Sequence, residues 1–227
     1  HICPMKDGSF IDLDRKYSTK GITAAPPIDV LTMGDIHAQR ADPKVKAATK
    51  ILADLLKPKA IVAHDVLDFG SAGHHNDYFE RFRRHCRSQS SVLGELRETA
   101  AYMDFIAPLT NTVIMVSSNH HDHFTKCHEH ALDLENALVY HETKAAMLRA
   151  IFEGGYCDPF KMWMDRMMTA PGALKWLKPG ESFSKHGIEF GWHGHRGPNG
   201  ARGSTKGFAN IGAKVTKGHS HGAEIID

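Results

Sequence analysis

The chain has 227 residues, 41% of them hydrophobic and 24% charged, an ordinary globular balance that suffices for one sizeable core and excludes a disordered or fibrous chain. Its net charge is only +2, so attraction to a polyanion has to come from local clustering. No apolar run approaches the roughly 18 residues of a membrane span, and no signal peptide is visible.

Residues 1–27 read as a peripheral N-terminal segment and 28–227 as one domain. "IDVLTMGD" (28–35) is a short apolar run closed by Gly34, the pattern of a buried strand. A helix follows, with Asp42 as N-cap, Pro43 at its first position, a stripe of Val45, Ala48, Leu52 and Leu55, and Pro58 as its stop. "KAIVAHD" is the next strand. A helix from about Ser90 to Ile106 places Val92, Leu96, Ala100 and Met103 on one face, and "TNTVIMVSSN" is the third strand. Another helix spans about 129–152, and the insertion at 152–181 reads as a cap over a site or as a partner surface. Within it Met162, Trp163, Met164, Met167 and Met168 predict an apolar helix started by Asp158 and Pro159, a core or dimer face. "GIEFGWHGH" and "GAKVTKGHSH" are two later strands.

Strands alternating with helices predict an α/β fold with a largely parallel sheet. In such sheets ligands bind beyond the carboxyl ends of the strands. The words "GDIH", "HDVLD", "SNHHD", "WHGH" and "GHSH" each follow a strand-like run, and the 17 histidines are otherwise dispersed rather than gathered in a tag. A histidine-rich surface loop or a polar turn would explain any one word. Five at one rim supply Asp35, His37, Asp65, Asn119, His193, His219 and His221, oxygen and imidazole donors without a thiolate. That mixture suits two divalent first-row ions, manganese first, with iron, zinc or nickel as alternatives. Cys3, Cys86, Cys127 and Cys157 form no C-x-x-C pair, which rules out a zinc ribbon and reads as reduced thiols of a cytoplasmic protein. The start at His1 and the stop at "GAEIID" read as a fragment of something larger.

D-x-H, G-D-x-x-D, G-N-H-D, a lone histidine and G-H-x-H, in that order, resemble the calcineurin-like metallophosphoesterases from Ile28 to His221. The resemblance implies their fold, a β-sandwich core flanked by helices. It implies one ion on Asp35, His37, Asp65 and His221, and a second on Asp65, Asn119, His193 and His219, with Asp65 as the bridge. It also makes His120 the catalytic histidine that assists at the reacting phosphate, with His121 and Asp122 in the turn behind. Three positions depart from the pattern: His64 and Ser118 stand where the family has glycine, and His121 stands where it has an acid. If Asp122 fails to reach His120, the orientation of that ring has no evident source. "HDVLDFGSAGHH" with "SNHHDHF" is more similar to phage-type DNA-acting members than to cyclic-nucleotide or protein phosphatases, which would place the protein in a host cytoplasm.

Between two expected ligands lies "RGPNGARGSTKGFANIGAKVTK" (196–217), with Arg196, Arg202, Lys206, Lys214 and Lys217, five glycines and no acidic residue. Glycine-rich backbone can aim N–H groups at phosphate, and the cations favour a polyanion. "RFRRHCR" (81–87) is a second basic cluster. Arg196, Arg202, Lys206 and His75 are the expected substrate contacts, DNA the expected partner, and phosphodiester hydrolysis the expected reaction. A phosphomonoesterase or small-molecule phosphodiesterase, or a metal-bound inactive nucleic-acid- or partner-binding domain, stand as alternatives. No membrane partner is expected, and a homo-oligomer is left open.

Overall fold

The computed structural model describes residues 2–4, 10–12, 17–18, 27–73, 77–127, 136–178, 180–201, 203–209 and 211–219. Near the N-terminus, β1 (Ile2–Pro4), β2 (Phe10–Asp12) and β3 (Tyr17–Ser18) form an antiparallel meander. The centre is a four-stranded parallel sheet in the order β4 (Val30–Met33), β5 (Ala60–His64), β6 (Val113–Val116), β7 (Leu174–Trp176). The two inner strands are the most buried, as a sheet covered on both faces requires.

Side chains alternate across this sheet, and the two sets build two cores. Ile61, Ala63, Val113 and Met115 pack with Leu96, Ala100 and Met103 of α3 (Val92–Ile106), Phe124 of α4 (Asn119–Cys127), and Phe160, Trp163 and Met164 of α6 (Pro159–Met167). Val62, Ile114 and Val116 meet Leu177, Phe190, Phe183 and Ile188 on the opposite face. That face is covered by a second sheet of β8 (Ser184–Lys185), β9 (Ile188–Glu189) and β10 (Lys214–Val215), in the order β10-β9-β8. Each fully buried aliphatic side chain stabilises the fold by roughly 1.5–3 kcal/mol.

The α/β class and the parallel pairing of the first three predicted strands hold. Four expectations need correction. The last two strand words do not extend the parallel sheet: only Ile188–Glu189 and Lys214–Val215 pair, in the second sheet, and β7 takes the fourth place. The segment 152–181 is no insertion, since it supplies β7 and the core residues of α6. Its helix is as predicted, with Pro159 in the first turn and Asp158 accepting from the Lys161 N–H, and Trp163 donates to Thr143 Oγ1 at 2.8 Å. In α1 (Pro43–Leu56) Asp42 caps as expected, yet the buried positions are Thr49 and Ala53, and Val45 is exposed. His121 and Asp122 lie not in a turn behind the site but in the first turn of α4, because Ser118 caps it: His121 N–H donates to Ser118 Oγ and Asp122 N–H to its carbonyl.

The helix expected over about 129–152 is seen as α5 (Ala137–Phe152), with 128–135 outside the described residues. Asp77 caps α2 (Tyr78–Cys86), the helix carrying the "RFRRHCR" cluster, by accepting from Glu80 N–H at 2.8 Å. No described helix is long and apolar enough to cross a membrane.

Candidate metal centre

The parallel pairing of β4 and β5 continues past their ends. Ile36, His37 and Ala38 N–H donate to the carbonyls of His64, Asp65 and Val66. This register brings the first two sequence words side by side. The backbone there is costly: of eight non-glycine residues with positive φ among those described, Asp35, His37, Asp65 and His219 are four. Residues are held in that region only where the surroundings over-determine them, and such positions cluster at functional sites.

Asp65 lies at the focus. Its Oδ2 is 3.5 Å from His37 Nε2, 3.6 Å from His120 Nε2 and 3.7 Å from His193 Nε2. His193 Nε2 is also 3.0 Å from Asn119 Oδ1, and its Nδ1 is 4.0 Å from Asp35 Oδ1. The His219 N–H donates to Asp35 Oδ1 at 2.7 Å, which ties the last word to the first. Gly218, just before it, could carry no side chain without crowding, because a Cβ would lie 3.0 Å from Asp35 Oδ1 and 3.1 Å from His193 Nδ1.

Six of the seven expected ligands therefore converge. His221 lies outside the described residues, as do His75 and Arg202 of the expected substrate contacts. The other two are exposed: Lys206 on α7 (Thr205–Ala209), and Arg196, paired with Asp122 at 3.1 Å.

The structure adds Asp68. His37 Nδ1 is 3.2 Å from its Oδ1, Arg40 Nε is 3.0 Å from its Oδ2, and His120 Nδ1 meets its main-chain oxygen in a short contact. Donor atoms of Asp35, His37 and Asp65, and of His37, Asp68 and His120, lie within 4.8 Å of one another, so either set could grip an ion. The signal for Asp68 was the second acid of "HDVLD". Behind it, Gln39 Oε1 accepts from Asp68 N–H while Gln39 Nε2 donates to the Glu95 carbonyl and to Thr99 Oγ1. Glu95 in turn receives the Ser71 N–H and hydroxyl at 3.0 and 2.7 Å. Helix α3 thus fixes the loop from Asp65 to Ser71.

Electrostatics fit a cation. Burial raises the Asp65 carboxyl, against the pull of His120, a Ser118 hydroxyl and His37. Burial works to lower His37, but Asp68, Asp65 and Asp35 outweigh it and raise the group. Burial holds His193 well below the usual imidazole range, aided by the neighbouring His64 and His195, so its ring is neutral as a ligand must be. Asp65 Oδ1 and His193 Nδ1 are buried and make no hydrogen bond. Orphaned acceptors next to crowded carboxylates are what a bound cation would satisfy. The donors are oxygens and imidazoles, so the residues present fit divalent first-row ions.

The three departures have distinct outcomes. Ser118 caps α4 and bonds Asp65. His64 is fully buried beside His193, with burial lowering it to about 4. His121 packs on Phe160, ring centroids 4.2 Å apart, and burial lowers it to about 3, so it is a neutral core residue. Asp122 does not reach His120: it lies 3.7 Å from His195 Nε2 and pairs with Arg196.

The chain is 34% identical over 211 residues to "Protein A1" of Escherichia phage T5, a match covering 86% of this chain and 37% of that protein. The chain thus spans little more than a third of the curated relative it matches. No family model matches the chain. No solved structure matches it.

Proposed function

We propose that this chain is a calcineurin-like metallophosphoesterase domain that hydrolyses phosphodiester bonds in DNA with two divalent ions, manganese foremost. The observation that carries the reading is the convergence on Asp65 Oδ2 of three imidazole nitrogens from three separate strand ends, all within 3.7 Å. A parallel sheet with a second sheet on one face and helices on the other is in keeping with a β-sandwich core flanked by helices. The relative in Escherichia phage T5 is in keeping with a phage-encoded enzyme that meets DNA in a host cytoplasm.

Asp35, His37, Asp65, Asn119, His193 and His219, with His221, would hold the ions, with Asp65 as the ligand common to both. When bound, the ions neutralise charge on the phosphate and lower the pKa of a water. His120 donates Nδ1–H to the Asp68 carbonyl, which leaves Nε2 on the site side; as an imidazolium the ring would hand its Nε2 proton to the departing ester oxygen and be left as the neutral Nδ1–H tautomer. Exposed cations on both flanks, Lys206 on α7 and Arg81, Arg83 and Arg87 on and beside α2, suit an extended polyanion better than a small monoester.

The test is to incubate the metal-stripped protein with linear and circular DNA, with and without Mn²⁺, beside His120→Ala and beside aryl mono- and diesters. Mn²⁺-dependent cleavage of DNA, lost in the variant, is the expected result, and the circular substrate shows whether an end is needed. Hydrolysis of the aryl esters alone would move the reading to a small phosphoester. Metal binding without any hydrolysis would leave a binding domain.

A further inference from the structure

Beside the metal centre the chain forms a cleft of about 590 Å³, a volume suited to one nucleotide. His193 belongs to both, so the cleft opens directly from the candidate centre. Its walls include Trp192, Phe208, Leu177 and Pro198, and Lys178 and Arg196 line it with charge. Trp192 lies against Phe208, ring centroids 6.0 Å apart, yet Trp192 remains 37% exposed while Phe208 is buried. Asp122 positions the rim by pairing with Arg196 and facing His195.

An apolar, aromatic wall next to a phosphate-directed site, with cations at its edge, has the chemistry of a nucleobase subsite. Bases stack on indole whatever their identity, because each has a π-face, and the neighbouring phosphate meets the cations. A simple phosphate ester without a base would leave the aromatic wall unused.

We propose that this cleft receives a nucleobase flanking the scissile phosphate, with Trp192 as its stacking platform, so that the substrate has at least one unpaired base beside the cleaved bond. The subsite rests on the phosphodiesterase reading and specifies its substrate as single-stranded or frayed DNA. It is sequence-tolerant, since stacking on a ring face, rather than a pattern of hydrogen bonds to a base edge, holds the base.

The first test needs no metal. The metal-free chain is titrated with deoxyadenosine monophosphate and, separately, with 2-deoxyribose 5-phosphate, following indole fluorescence. The nucleotide should change the emission and the sugar phosphate should not. Trp192→Leu should abolish the response, while emission from Trp163 and Trp176 reports an intact fold. A nucleotide response that survives in Trp192→Leu, or an equal response to the sugar phosphate, overturns the subsite. In the Mn²⁺-loaded protein, Trp192→Leu should lower the ratio of kcat/KM for single-stranded DNA to that for a base-free aryl diester about 10- to 100-fold. Trp192→Phe should restore most of it. An unchanged ratio in Trp192→Leu overturns the subsite while leaving the phosphodiesterase reading intact. A Trp192-dependent nucleotide response in a protein that cleaves no DNA sustains the subsite and sinks DNA hydrolysis instead.

Discussion

His120 Nδ1 meets the main-chain oxygen of Asp68, and that contact fixes which nitrogen of the ring faces Asp65. A ring whose Nδ1–H is committed to a carbonyl presents Nε2 to the site. The backbone of the Asp65–Ser71 loop therefore orients the His120 ring, as a carboxylate following it in the chain would otherwise do.

His120→Ala should then lower turnover about 10²- to 10⁴-fold while both Mn²⁺ equivalents still bind. Asp122→Asn should leave kcat on an aryl diester within about threefold, the scale of a 0.5 kcal/mol perturbation away from the reacting atoms. Steady-state kinetics on the two variants checks both, and a fall for Asp122→Asn as deep as for His120→Ala would return the orienting role to Asp122.

Much of this centre is legible in the sequence and part is not, for physical reasons. Asp35, His37, Asp65, Asn119, His193 and His219 can be found because strand ends place successive words at one rim. The partner of His120 is invisible because a main-chain oxygen carries no residue identity. Asp68 is readable as the second acid of "HDVLD", but the expected ligand set takes only the first, Asp65. The stripe on α1 misleads because small Thr49 and Ala53 fill the close contact, while Val45 lies in solvent. The methionine-rich helix after Asp158 is correctly expected, but only the pairing of β7 with β6 shows that its segment belongs to the core.

Glu95 gives a pH signature. Burial raises its carboxyl from the ordinary 4.5 to about 7, against hydrogen bonds from Ser71. A raised carboxyl favours the fold in its protonated form, so its contribution is fully present below pH 4.5 and is lost as the pH climbs through 7. Glu95→Gln, which keeps the protonated shape, should therefore gain up to roughly 3 kcal/mol over wild type above that window and nothing below it. Urea melts of the metal-free proteins across the window check this; a difference independent of pH would mean that Glu95 is not held neutral.

Gly218→Ala should weaken Mn²⁺ binding about tenfold, as displaced ligand support does, at little cost in stability. The added Cβ at 3.0 Å from Asp35 Oδ1 and 3.1 Å from His193 Nδ1 would force one of them to shift by a few tenths of an ångström. Calorimetric titration beside a thermal melt separates the two effects. Unaltered affinity would mean that these atoms do not hold the metal.

Charge reversal of Arg83 and Lys206, both exposed, should raise KM for DNA relative to an aryl diester. It should also flatten the salt dependence by about one unit of slope for each phosphate no longer neutralised. Equal effects on both substrates would remove the basic flanks from substrate binding.

The most direct test of the central claim is the Mn²⁺ stoichiometry of the metal-stripped protein and of Asp65→Asn, measured by calorimetric titration. Asp65 as a shared ligand requires two equivalents in the wild type and at least about tenfold weaker binding at both sites in the variant. A wild type that takes up one ion or none, or an Asp65→Asn protein that keeps one site at full affinity, would contradict a two-ion centre built around Asp65.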